Sequence, residues 1–118
     1  MRLVLVLALT SLVVTLAPAR ADALVVDRIN GTVRNHMGDV RVCYVHALVD
    51  RPSLEGRITV SFVVGPDGSV SSARTTEDSV GDLRMTECVL TAVRSWTFPA
   101  VDPSSGLQSA QYPFVFTR

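Results

Sequence analysis

Residues 26–48 read VDRINGTVRNHMGDVRVCYVHAL. At 100° per residue, Val26, Ile29, Val33, Met37, Val40, Cys43, Tyr44, Ala47 and Leu48 share one face. Arg34, Asn35, Gly38 and Arg41 take the other. The spacing predicts one long amphipathic helix whose apolar stripe must be buried against another layer. Asp27 is a candidate N-cap, with the start also possible a turn earlier or only at Thr32. Gly31 is a weak point in a helix interior, costing about 1 kcal/mol relative to alanine. Arg51-Pro52 ends the helix, because proline disfavours the helical conformation of the residue before it.

The chain that follows supplies the missing layer. Arg57 to Val64 alternates, with Ile58, Val60, Phe62 and Val64 on one side, as expected of a half-buried strand. Gly65-Pro66-Asp67-Gly68 is a turn: Pro66 presets φ, and Gly68 is free to take φ > 0. Ser69 to Thr76 is a more polar return strand. Asp82 is a candidate N-cap for a second helix, Leu83 to Trp96, with Met85, Cys88, Val89, Ala92, Val93 and Trp96 on its core side. Pro99 stops it, and residues 100–109 read as a loop. Ala110 to Thr117 is the last strand, with Ala110, Tyr112, Phe114 and Phe116 on one face. Pro113 cannot donate to a ladder, so this strand belongs at a sheet edge. The expected fold is α+β, a two-layer sandwich of two helices on a three-stranded antiparallel sheet, in the order α-β-β-α-β.

Upstream, Arg2, the apolar run Leu3 to Leu16 and Ala19-Arg20-Ala21 read as a secretory signal peptide over 1–21. The domain is then 22–118, exported to the periplasm or secreted, with no membrane span after cleavage. The apolar run is short for a span, which needs about 20 residues. With Arg2 and Arg20 removed, nine arginines face eleven acidic residues, interspersed along the chain. That pattern offers no nucleic-acid or polybasic membrane surface.

Export places Cys43 and Cys88, each the other's only possible partner, where a disulfide can persist. A redox-active pair is the alternative, but the C-x-x-C spacing is missing. His36 and His46 are ten residues apart on different sides of the first helix, and no third ligand cluster accompanies them. No metal site or cofactor is therefore expected. No G-x-S-x-G elbow, G-x-G-x-x-G or P-loop occurs.

Cys43-Tyr44, Ala47-Leu48, Pro52-x-Leu54-x-Gly56, Gly65-x-Asp67-Gly68-x-Val70, Cys88-Val89, Trp96-x-Phe98-Pro99 and Tyr112-Pro113-Phe114 together resemble the AgmX/PglI C-terminal domain. That domain lies within the wider TonB C-terminal-like group, and the likeness spans nearly all of 22–118. The resemblance implies a helix pair on a three-stranded sheet and a Cys43–Cys88 bridge. It also implies an envelope interaction domain rather than an enzyme. TonB proteins grip an extended peptide of an outer-membrane transporter as an added strand. With neither an anchor nor a proline-rich spacer expected after cleavage, energy transduction is not carried over.

Two surfaces are candidates for a protein or peptide partner. One is the last-strand edge, where the backbone of Gln111, Pro113 and Val115 is expected to face outward. Proline on an edge is also a device against pairing. The other is Val42, Val45 and Val49, a second apolar stripe opposite the core face of the first helix. Single exposed valines are, however, ordinary on a protein surface. Two further readings stay open: a structural component of an envelope complex such as a motility or transport assembly, and a small secreted thiol-active protein or enzyme.

Overall fold

The computed structural model describes residues 19–100 and 106–118, the first seven of these by their backbone alone. Its elements are α1 (Ala19–Asn35), α2 (Met37–Asp50), β1 (Gly56–Val64), β2 (Val70–Asp78), α3 (Leu83–Ser95) and β3 (Gln108–Phe116). The strands form one antiparallel sheet in the order β2-β1-β3. Helices cover one face of it. Ile58, Val60, Phe62 and Val64 of β1 are buried under them, with Phe114 and Phe116 of β3 and Ala73 of β2. The other face carries Arg57, Thr59, Ser61 and Arg74 and stays open. The α+β two-layer architecture thus holds. The expected leader lies outside the described residues except for 19–21, which begin α1. Among the described residues, no helix is long and apolar enough to cross a membrane.

The predicted single helix is two, broken at His36. This residue sits at φ −104°, ψ 9°. Its N–H is shared between the carbonyls of Thr32 and Val33, both at 3.1 Å, which tightens the last turn of α1. Its ring Nδ1 lies 2.9 Å from the Thr32 oxygen. The ring packs at a tilt against Trp96, with centroids 5.3 Å apart. The break keeps the apolar phase, so Ile29 and Val33 before it and Val40, Cys43 and Tyr44 after it all stay buried. Asp27, the candidate cap, lies inside α1, because that helix starts at Ala19. Val26, placed by periodicity in the core stripe, is 53 % exposed.

The polar tips of the core aromatics find partners at its rim. Tyr44 donates its hydroxyl to the Leu54 carbonyl at 2.6 Å. Trp96 donates its indole N–H to Asp39 at 3.0 Å. The β1–β2 turn closes through Gly68 N–H on the Gly65 carbonyl at 2.9 Å. Asp67 accepts from the Ser69 hydroxyl and its backbone N–H, at 2.7 and 3.0 Å. Gly68 has φ +89°, and a Cβ there would overlap the Phe98 carbonyl, so no other residue fits.

Asp82 is the N-cap of α3, accepting the Met85 N–H at 2.9 Å and meeting Arg51 at 3.3 Å. The Met85 N–H, with help from Arg51, holds its carboxyl below the usual carboxylate range. A lowered folded-state pKa stabilises above the ordinary carboxylate range, and that stabilisation is lost as pH falls through the folded value. Asp82→Ala is therefore expected to cost about 1 kcal/mol at neutral pH. In urea titrations its difference from the parent should close below the carboxylate range. An equal loss at pH 7 and in acid would contradict the assignment.

Candidate binding edge

The two edges of the sheet differ. Arg57 turns both backbone groups toward β2: its N–H donates to Ser79 Oγ and its carbonyl accepts the Ser79 N–H, each at 2.8 Å. Backbone groups alternate along a strand, so Ile58, Val60 and Phe62 turn theirs toward β3. Their partners there are Phe114, Tyr112 and Ala110. The intervening residues Ser109, Gln111 and Val115 consequently turn their N–H and C=O groups away from the sheet, and Pro113 its C=O alone. Pro113 stands opposite Thr59 at such a position. Its missing N–H costs the β1 ladder nothing.

Side chains agree with this geometry. Gln111, Pro113 and Val115 are exposed on the open face, Val115 to 61 %. The Gln111 amide crosses β1 to donate to Thr76 on β2 at 2.8 Å. The β1–β3 register runs without a shift from Gly56↔Phe116 to Val64↔Gln108. This edge is straight and regular, a form suited to accept another strand.

The β2 edge is blunted instead. Its register slips twice, leaving Thr76 and Ser71 as extra residues. Such bulges twist an edge away from pairing. Arg94 of α3 also reaches it, donating to the Ala73 carbonyl at 3.1 Å. Ala73 pairs with Phe62, whose backbone turns to β3, so this carbonyl points outward and Arg94 occupies it. Arg94 itself lies off the apolar stripe of α3 and is exposed. Only the packing of α3 on β2 reveals its role.

The second candidate surface is also accessible. Val42, Val45 and Val49 are exposed, Val49 to 78 %. Beside them a cavity of about 750 Å³ separates the end of α2 from the start of α3. Cys43, Cys88, Arg51, Asp82 and Leu83 are among the residues that line it. The bridge joins α2 to α3, with Cα atoms 5.7 Å apart. Cys43 is buried, but Cys88, expected on the core side, is exposed. The core side of α3 is instead made by Met85, Thr86, Val89, Leu90 and Val93. Thr86 is held there by Asp78, which accepts from its hydroxyl. Cys88 lies one position off that stripe, where it reaches across to α2.

His36 is engaged by Thr32 and Trp96, and His46 lies on α2 beside the cavity. Among the described residues, no group of three or more His, Cys, Asp or Glu side chains could hold a metal.

No curated protein matches the chain. The solution structure of the Helicobacter pylori TonB C-terminal domain aligns with 88 % of this chain and 96 % of its own. Identity is 16 % and the TM-score 0.44. The model of the Gram-negative bacterial TonB protein C-terminal family matches residues 48–117, from the end of α2 through β3. Cys88 lies within that match and Cys43 before it. With more than half of its length matched, the chain belongs to the TonB C-terminal family.

Proposed function

We propose that the protein is an exported envelope module, not an enzyme, that takes up an extended segment of a partner protein as a fourth strand on β3. One observation carries this reading: β3 is a regular edge with outward backbone groups, while β2 is blunted by two bulges and by Arg94. An incoming strand can pair with Ser109, Gln111 and Val115 in full and with the Pro113 carbonyl alone. Main-chain bonds of this kind supply affinity, and alternate side chains supply specificity. Family membership favours an interaction role in the envelope, and the disulfide suits an oxidising compartment. The narrower AgmX/PglI assignment rests on the two cysteines and the Trp96-x-Phe98-Pro99 and Tyr112-Pro113-Phe114 spacings. Val42, Val45 and Val49 beside the α2–α3 cavity offer a second reading, a contact face of a larger envelope complex.

A photo-reactive residue placed at position 115, in the native host, tests the first reading. It should capture a defined envelope protein, and the same probe at position 84 should not. Gln111→Pro removes one outward donor without touching the β1 ladder, and should cut the capture about tenfold, the cost of one hydrogen bond. Capture from position 45 in place of 115 would move the function to the α2 face.

A further inference from the structure

Where α1 passes over the start of β3, a cavity of about 340 Å³ opens onto the sheet edge. Val26, Ile29 and Asn30 of α1 form one wall, and the Ser109 to Gln111 stretch of β3 forms the other. Resting on the strand-addition reading, we infer that this cavity is the side-chain pocket of the site, selecting a peptide with an aliphatic residue opposite 109–111.

An added strand would run about 4.8 Å outside β3. Every second side chain of it would then face the helix layer. At 109–111, α1 lies over the strand, and the inward side chain enters the cavity. The walls suit an aliphatic group: Ile29 and Ala110 line it, and Val26 stands at its mouth. Val26 is an apolar residue left 53 % exposed by the fold, and an occupant would cover it. Among the described residues that line it none is charged, so a charged side chain would lose its water there without gaining a counter-ion from them. Asn30, half-buried in the wall, makes no side-chain hydrogen bond among the described residues and is placed to take one polar group of the peptide. Pro113 leaves a gap in the donor row beyond this point. Selection is accordingly concentrated at the 108–111 end of β3.

The test uses the isotope-labelled protein, expressed from the full chain and purified from its host. It is titrated to millimolar concentration with three end-blocked heptapeptides. Their outward positions are arginine and glutamine, their inward positions threonine, and the central inward residue is leucine, alanine or glutamate. The leucine peptide should shift the amides of Ser109, Gln111 and Val115 and the methyls of Val26 and Ile29. It should bind about tenfold or more tightly than the glutamate peptide, as expected for burying one aliphatic side chain. Val26→Asp should erase that preference while the edge amides still move. Equal binding of all three peptides, with edge amides shifting, would overturn the pocket and leave strand addition standing. No movement of the edge amides with any peptide would overturn strand addition, and the pocket with it.

Discussion

Phe114→Ala is expected to cost about 3–5 kcal/mol, the range for emptying a large aromatic site in a packed core. Phe114 is 2 % exposed and pairs across the sheet with Ile58, which is fully buried. Its ring lies 6.3 Å from Trp96 and 5.0 Å from Tyr112, centroid to centroid. The site is enclosed on the helix side by Trp96, itself fixed by Asp39 and packed against His36. Neighbours held this way cannot collapse into the space, so the residual cavity adds to the lost transfer energy. A domain of this size has about 5–15 kcal/mol in total, so the loss takes from about a fifth to all of its stability. Urea unfolding should show a lower midpoint at an unchanged slope. A loss under about 1 kcal/mol would mean that β3 is not anchored through this ring. Because β3 carries the proposed binding edge, the same change should also weaken partner capture at 115.

Removing the bridge with Cys43→Ala and Cys88→Ser together should cost about 4 kcal/mol in the chain-entropy model, given the 45-residue separation of the two cysteines. Alanine suits position 43, which is buried, and serine suits position 88, which is exposed. The constraint ties α2 to α3 beside a cavity of about 750 Å³ that both cysteines line. Reduction of the parent with dithiothreitol should lower its thermal midpoint to near that of the double variant. Exposure of Cys88 gives the reductant its approach. A double variant as stable as the parent would show that the bridge adds nothing to the folded state.

Much of this fold is legible in the chain because its periodicities are strong. Alternation over 57–64, Pro66 and Gly68 in the turn, and Asp82 ahead of an apolar stripe each state a local preference that packing upholds. The break at His36 is not legible in that way. It preserves the phase of the stripe, and the ring contact His36 makes there is long-range, with Trp96 sixty residues away. Cys88 misled for a related reason. A position at the border of the apolar stripe can turn to the sheet or to a neighbouring helix, and the bond to Cys43 draws it to α2.

The candidate binding edge is partly readable. Pro113 marks an edge strand, and the aromatic alternation at 112, 114 and 116 sets which side chains face in. Which backbone groups face outward follows from register, and register depends on pairing that no single strand encodes. The contrast with β2 was invisible, because both bulges and the Arg94 contact arise only when strands and helix meet. The α1 overhang at 109–111 is likewise a product of assembly. Val26 reads as core in the sequence and stands exposed at the mouth of a cavity in the structure.

Amide hydrogen exchange, read residue by residue, tests the central claim most directly. In the free protein, Ser109, Gln111 and Val115 should exchange fast, while Ala110, Tyr112, Phe114 and Phe116 exchange slowly. Adding the envelope protein captured from position 115 should protect the three fast amides and leave those of Val42, Val45 and Val49 unchanged. Protection that builds over α2, with the β3 edge still open to exchange, would contradict the account.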